Sequence, residues 1–344
     1  MERNNHTITI NKISDEAKVA LRVRVISAII GLLIIIPCII LGDWLFFVLI
    51  GFITAIAGYE IVACAKKKYS IWLYICTMLA CLLICYWPLL RTLISQGVIG
   101  SGHIYSYFDS MYVSILVMVV GLFALFYIIM WDENFTVRDA CFIFSISMLV
   151  AIGFQALSFL RFFPAILLGE QPGEGFYNPT NTFTSMILLM YFLIAVFFTD
   201  IGAYFTGMLF GKKKINPRIS PKKTWAGFFG GLIISTVISA GFALILAATG
   251  YPIIPVHNGF SIFDLNHWYN IVILSALIPP FATLGDFVFS AVKRYYGIKD
   301  FGNIMPGHGG ILDRADSVLF GACIATIFIV IVWAMCYGGV NPLL

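Results

Sequence analysis

Long apolar runs separated by short polar segments make up most of this 344-residue chain. None of the runs alternates polar and apolar residues as a membrane β-barrel requires. Each is long enough to cross about 30 Å of hydrocarbon as a helix. The pattern therefore predicts an all-α polytopic membrane protein with about nine transmembrane helices, at residues 25–41, 44–65, 71–90, 111–131, 140–160, 183–209, 225–248, 269–292 and 318–337.

The composition supports a lipid-embedded chain. Hydrophobic residues make up 60% of the sequence and charged residues only 11%, whereas about a quarter of an ordinary soluble domain is charged. These values exclude a disordered chain, a coiled coil and an ordinary water-soluble enzyme. The eight cysteines lie almost entirely within the apolar runs and form no Cys-x-x-Cys pair, so we interpret them as core residues.

Basic residues are concentrated on one side of the predicted membrane. Nineteen of the 21 Lys and Arg residues fall in the N-terminal arm and in loops that nine spans place on the same side. The positive-inside rule then predicts a cytoplasmic N-terminus and an external C-terminus. We divide the chain into a cytoplasmic arm (1–24), about five N-terminal spans (25–182) and a catalytic half with about four spans (183–344).

In this topology, four acids of the C-terminal half lie at similar depth near the cytoplasmic face. They are Asp200, Asp286, Asp313 and Asp316. Charged groups inside a bilayer are costly and usually face a cavity or a partner. These acids either pair with the Lys and Arg residues nearby or hold a divalent cation, because Mg²⁺ prefers hard oxygen ligands. For Asp313 and Asp316, compensation of a helix dipole is a further alternative.

Two polar segments have the composition of phosphate-binding sites. Glycines at 302, 307, 309 and 310 surround His308 just before the last span, and a Gly-rich approach to a helix offers free N–H groups to a phosphate. Residues 220–224 (SPKKT) bring hydroxyl and ammonium groups together at a helix start. We expect both segments to bind phosphate; for the basic loop at 212–223, an anchor on anionic lipid is the alternative. Glu60, in contrast, is expected to form an ion pair with the lysines at 66–68.

A longer motif carries a family resemblance. It reads Ser290-x-Val292-Lys293-Arg294, then Lys299-Asp300-x-Gly302, then Pro306-x-His308-Gly309-Gly310 and Asp313-Arg314-x-Asp316. This run closely resembles the C-terminal motif of the phosphatidate cytidylyltransferase (CDP-diacylglycerol synthase) family. Residues 200–204 and 220–227 look like two further elements of that family, so the resemblance covers about 183–337.

The resemblance implies a nucleotidyltransferase of phospholipid biosynthesis. Such an enzyme transfers CMP from CTP to phosphatidic acid, giving CDP-diacylglycerol and pyrophosphate. It is a multi-pass protein of the bacterial plasma membrane with its active site facing the cytoplasm. The family uses Mg²⁺ with a second, monovalent cation such as K⁺, and it commonly forms a homodimer among membrane lipids; no nucleic-acid partner is expected.

The resemblance also implies roles for individual residues. The metal ligands would be Asp200, Asp286, Asp313 and Asp316. The catalytic residues would be Asp286, Asp313, Asp316, Lys293 and Arg294. The substrate-binding residues would be Ser220, Lys222, Lys223, Thr224, Lys299, His308 and Arg314.

Three other functions stay open at this point. A transporter or channel would also carry buried acids, although it would not need two phosphate-binding segments. A CDP-alcohol phosphotransferase would carry an Asp-Gly-x-x-Ala-Arg element, which the sequence lacks. A relative that acts on an ether lipid or a polyprenol phosphate is chemically close.

Overall fold

The computed structural model describes residues 15–95, 110–167, 179–256, 261–304, 307 and 309–336. Within these ranges the chain forms nine helices and one two-stranded antiparallel hairpin. In chain order they are α1 (Asp15–Leu41), α2 (Asp43–Ala63), α3 (Ile71–Ser95), α4 (Ser110–Trp131), α5 (Val137–Leu167), α6 (Pro179–Phe210), β1 (Lys214–Asn216), β2 (Ser220–Thr224), α7 (Trp225–Ala248), α8 (Trp268–Tyr295) and α9 (Leu312–Cys336).

The helices are those of an integral membrane protein. Helices α2 and α5 to α9 are long and apolar enough, by length and composition, to cross a membrane. The apolar parts of α1, α3 and α4 in the described residues are shorter, at Val25–Leu41, Ile71–Tyr86 and Ile115–Trp131. The helical class is therefore confirmed, while the number of crossings and the side of each terminus stay predictions.

Two features differ from the sequence-based expectation. Helix α1 begins at Asp15, inside the segment that was expected to be an arm. The loop between α6 and α7 forms the hairpin β1–β2, in which Lys214 pairs with Thr224 and Asn216 with Ser220. The described fold is therefore helical with one short hairpin, and that hairpin lies beside the charged residues considered below.

Helices α6 and α7 pack closely because α7 presents a stripe of small residues to α6. A side chain at Gly231 would collide with the backbone carbonyl of Thr199 on α6. The Ser235 hydroxyl donates a hydrogen bond to the Ala195 carbonyl at 2.6 Å. Small residues allow helix backbones to approach in lipid, where no hydrophobic force drives helices together. The buried stripe consists of Gly227, Gly231, Ser235, Ser239 and Ala243.

Helix α8 contains two prolines and is supported by its neighbours. Pro279 has no N–H group, so the carbonyl of Ser275 loses its helical partner. The Thr236 hydroxyl of α7 donates to that carbonyl at 3.4 Å, and the Ser275 hydroxyl lies 2.7 Å from the Tyr191 hydroxyl of α6. The side chain of Thr236 therefore supplies a hydrogen bond to a backbone carbonyl, which lipid could not do.

Helix α5 joins the first helices to the last ones. Its buried Arg161 donates to the Ile39 carbonyl of α1 at 3.1 Å and to the Ser185 hydroxyl of α6 at 2.9 Å. The ring of Phe163 packs edge-on against Trp333 of α9, with centroids 5.3 Å apart. The described helices thus share a main hydrophobic core that contains residues of both halves of the chain, with a second small cluster between α3 and α5 at Cys81, Ile84, Met148 and Ala151.

Candidate functional site

Charged side chains from four elements converge beside the hairpin. Two direct ion pairs join them: Lys223 Nζ to Asp286 Oδ2 at 2.5 Å, and Lys293 Nζ to Asp313 Oδ1 at 2.9 Å. Asp316 interacts electrostatically with Asp286 and Lys293, and Asp200 interacts with Asp286 and Lys223. We call these six residues the acid–lysine cluster: Asp200 of α6, Lys223 of β2, Asp286 and Lys293 of α8, and Asp313 and Asp316 of α9.

The hairpin carries Lys223 to α8. The side-chain oxygen of Asn216 accepts the N–H groups of Arg218 and Ile219, which stabilises the turn. The hydroxyl of Thr224 accepts the N–H of Gly227 at 3.1 Å and so caps the start of α7. The Lys223 ammonium then lies near Asp286 and 4.6 Å from the centre of the Phe287 ring.

A close approach of α8 and α9 brings Asp286 towards Asp316. A side chain at Gly285 would collide with the backbone carbonyl of Asp316, so only glycine permits this distance. Asp286 also accepts a hydrogen bond from the Ser290 hydroxyl at 3.1 Å. Asp316 is 7% exposed, and its two hydrogen bonds, from the N–H and the hydroxyl of Ser317, both end on Oδ1. The two carboxylates are therefore close to each other, although they accept hydrogen bonds from different residues.

Both carboxylate oxygens of Asp313 accept hydrogen bonds from the protein. Its Oδ1 accepts from Lys293, and its Oδ2 accepts the N–H groups of Phe301 and Gly310 at 2.8 and 2.9 Å. The side chain is only 4% exposed. The ammonium group of Lys293 additionally lies 5.6 Å from the centre of the Phe301 ring. Asp313 thus holds Lys293 and folds the preceding loop back onto α9.

Glu60 is the residue of this region that the sequence analysis misinterpreted. It is 1% exposed, and its two oxygens accept the N–H groups of Ile311 and Leu312 at 3.0 and 2.9 Å. The expected ion pair with the lysines at 66–68 is wrong within the described residues, because Glu60 is bound to the start of α9 and Lys67 pairs with Asp139. No local signal identifies this contact, since the partners are 251 residues apart in the chain.

The same contact bears on the expected phosphate site in the Gly-rich segment. The N–H groups of Ile311 and Leu312 at the start of α9 are occupied by Glu60, and that of Gly310 is occupied by Asp313. These three N–H groups therefore bind carboxylates of the protein, and phosphate binding by the rest of the segment stays a prediction. His308 lies outside the described residues, as do Met305 and Pro306.

The other predicted substrate residues differ in exposure. Four of them are exposed, namely Lys222, Arg294, Lys299 and Arg314. Ser220, at the start of β2, is half-buried. Arg294 donates to the Ile219 carbonyl of the hairpin at 3.4 Å. Thr224 is buried and its hydroxyl caps the start of α7, so it offers no exposed hydroxyl to a ligand.

The acids do not form a preformed three-ligand metal site. In the described parts of the chain, no three His, Cys, Asp or Glu side chains are close enough together to hold a metal ion. Of the four predicted metal ligands, Asp313 stands apart, because it is turned to Lys293 and to backbone N–H groups. The cluster nevertheless contains four acids and two lysines, and in the described residues the two lysines pair directly with Asp286 and Asp313.

A polar cleft of about 500 Å³, separate from the acid–lysine cluster, lies near the end of α8. Lys67 forms an ion pair with Asp139 at 2.6 Å there, and Arg138 donates to the Tyr295 hydroxyl at 3.4 Å. Burial raises the pKa of Tyr296, which also lines the cleft, so its hydroxyl stays protonated. The charged groups of this cleft are therefore largely paired with one another.

The long apolar helices bring acids, lysines and a basic hairpin to one place. These features define a membrane-embedded protein with a charged site suited to phosphate chemistry. Residues 22–332 match the sequence profile of the Cytidylyltransferase family. Because the match covers most of the chain, the protein belongs to this family.

Two curated relatives agree with this assignment. The phosphatidate cytidylyltransferase of Staphylococcus haemolyticus (strain JCSC1435) is 33% identical over 203 residues, which is 59% of this chain and 64% of the relative. That of Bacillus subtilis (strain 168) is 41% identical over 132 residues, 38% of this chain and 43% of the relative. The alignments therefore span less than two thirds of the length of either relative.

Proposed function

We propose that the protein is a phosphatidate cytidylyltransferase, which transfers CMP from CTP to phosphatidic acid and releases pyrophosphate. The observation that carries this proposal is the acid–lysine cluster, which lies entirely inside the residues that match the family. The names of the relatives from Staphylococcus haemolyticus and Bacillus subtilis support the same activity. A lipid substrate also fits helices that are embedded in a membrane.

The chemistry requires positioning and charge neutralisation more than a covalent nucleophile. A phosphate oxygen of phosphatidic acid attacks the α-phosphorus of CTP, the bond from the α-phosphorus to the bridging oxygen breaks, and pyrophosphate leaves. Lys223 and Lys293 are each held by a carboxylate, so their ammonium groups are fixed before the substrate arrives. Fixed cations can stabilise the charge that develops on the phosphate oxygens. Exposed Arg294, Lys222, Lys299 and Arg314 would attract the triphosphate.

Asp286 and Asp316 fit a Mg²⁺ ion better than Asp313 does. Both offer hard carboxylate oxygens and they interact with each other electrostatically. Within the described residues, the hydrogen bonds of Asp316 both end on Oδ1, which would leave Oδ2 for a ligand. Asp200 lies near Asp286 and offers a further carboxylate. Asp313 fits less well, because its side chain is only 4% exposed and accepts three hydrogen bonds from the protein, whereas that of Asp286 is 28% exposed and has two partners in the described chain. When bound, Mg²⁺ would supply charge neutralisation for the triphosphate.

The remaining expectations are part of the same proposal. The site would face the cytoplasm of a bacterial cell, where CTP is made, and residues 183–344 would form the catalytic half. The bias of Lys and Arg towards one side supports this orientation. The monovalent cation and the homodimer are implied by the family resemblance alone, and we assign no residue to either.

The direct test uses purified protein in liposomes that contain phosphatidic acid. With CTP and Mg²⁺, CDP-diacylglycerol and pyrophosphate should form together, and liposomes with diacylglycerol in place of phosphatidic acid should give neither. Lys293→Met should abolish most of the turnover, whereas Glu133→Gln, at an exposed acid between α4 and α5, should not change it. Solute flux across the liposome membrane without CTP consumption would refute the proposal and favour a transporter.

A further inference from the structure

A side chain of the N-terminal helix α2 reaches the start of α9, beside the acid–lysine cluster. Glu60 near the end of α2 accepts the N–H groups of Ile311 and Leu312, which begin α9. Asp313 and Asp316 lie on the first turns of that helix. The Glu60 carboxylate therefore connects α2 to the first turn of the helix that carries two of the cluster acids, whereas α5 contacts that helix further along, at Thr326 and Trp333.

The loop before α9 fits closely around the Glu60 carboxylate. Side chains at Gly302 and Gly310 would collide with the Glu60 carboxylate, so the loop before α9 is shaped around it. Glu60 is buried, and its charge is compensated by the two N–H groups and by the positive end of the α9 dipole. Asp313 holds the same loop from the other side through Phe301 and Gly310.

Removing the Glu60 charge would leave two buried N–H groups with weaker acceptors or none. Buried N–H groups without partners are costly, so the first turn of α9 would shift or fray to reach another acceptor. Such a shift moves the hydrogen-bonded Asp313 and its partner Lys293, and it moves Asp316 relative to Asp286. Misplacement of reacting groups by about 1 Å can lower a rate by two orders of magnitude.

We propose that Glu60 is a positioning residue for the reaction: it fixes the start of α9 so that Asp313, Asp316 and Lys293 take their working arrangement. The proposal rests on the proposed function and assigns one role to the N-terminal half of the chain. Glu60 acts through α9 and does not touch the reacting atoms.

The decisive variant is Glu60→Gln, which keeps the side-chain volume and one acceptor oxygen. The matched control is Asp139→Asn, which also neutralises a buried acid of the N-terminal half; Lys67 and Thr136 are its hydrogen-bond partners in the described chain. Hydrogen–deuterium exchange of the peptide that contains Ile311 and Leu312 reports on the contact without any substrate. Turnover with CTP and phosphatidic acid then reports on its consequence.

We expect Glu60→Gln to accelerate amide exchange at Ile311 and Leu312 and to lower kcat by about tenfold or more, with a smaller change in KM. Asp139→Asn should leave both exchange at these amides and kcat near the wild-type values. Unchanged exchange in Glu60→Gln, or faster exchange with wild-type kcat, would each overturn the proposal. If wild-type protein converted no CTP, the proposed function would fail, and the exchange result alone would still decide whether Glu60 holds α9.

Discussion

Neutralising Asp313 tests whether this acid is a counter-ion or a metal ligand. In Asp313→Asn the amide oxygen can still accept the N–H groups of Phe301 and Gly310, but the NH₂ group then faces the Lys293 ammonium. Breaking a buried ion pair by neutralising one partner costs about 3–5 kcal/mol. Since the Lys293 side chain keeps 15% of its exposure, we take the lower end of this range, about 3 kcal/mol. We therefore expect a clear fall in the thermal midpoint in detergent.

A double-mutant cycle separates the ion pair from its surroundings. Removing both charges, in Asp313→Asn with Lys293→Met, should be less destabilising than the sum of the single changes by at least about 1 kcal/mol. Glu133→Gln serves as the exposed-acid control and should leave the midpoint unchanged. Additive effects of the two substitutions would show that the 2.9 Å contact does not stabilise the protein.

The Mg²⁺ requirement distinguishes Asp313 from Asp316. Asp313→Asn should lower turnover while leaving the Mg²⁺ concentration for half-maximal activity unchanged, because the Asp313 side chain is only 4% exposed and already binds three protein donors. Asp316→Asn should raise that concentration, because its carboxylate is a proposed ligand. A higher Mg²⁺ requirement in Asp313→Asn, equal to that of Asp316→Asn, would refute the assignment of Asp313 as a counter-ion.

Three further outcomes are expected. Lys223→Ala should lower kcat/KM for CTP by about tenfold or more, and exposed Lys222→Ala by much less, because only Lys223 is fixed by Asp286. Thr224→Ala should remove the cap of α7 and cost about 1 kcal/mol, measured as a lower thermal midpoint. Burial opposes ionisation of Asp264, but hydrogen bonds from His267 and Asn266 lower its pKa below 3.8. Asp264→Asn should therefore destabilise the protein at neutral pH. The thermal midpoints of the wild-type protein and the variant should converge as the pH falls through that lowered pKa.

Much of the helical framework could be predicted from the sequence. The predicted span at 225–248 coincides with α7, and the span at 269–292 lies within α8. Apolar runs of this length have few alternatives in lipid, because every backbone group must be paired internally. The bounds of α1 and α9 were less predictable, since α9 begins at Leu312, ahead of its apolar run.

The partners within the site could not be predicted in the same way. The sequence indicated that Asp286 and Asp313 lie near lysines, but it did not distinguish Lys223 from Lys293 as their partners. Those choices depend on the hairpin and on the glycine-mediated approach of α8 and α9, which are long-range features. The contact from Glu60 to α9 is of the same kind, and it occupies two N–H groups at the helix start that the sequence had suggested for phosphate.

The central claim is that CMP passes from CTP to phosphatidic acid at the acid–lysine cluster. The most direct measurement places a phosphorus label on either the α- or the γ-phosphate of CTP, with wild-type protein in liposomes of phosphatidic acid and Mg²⁺. The account predicts that the α-label enters the lipid and the γ-label enters pyrophosphate at equal rates, and that excess EDTA stops both. Label from the γ-phosphate in the lipid, or turnover that persists in EDTA, would contradict it.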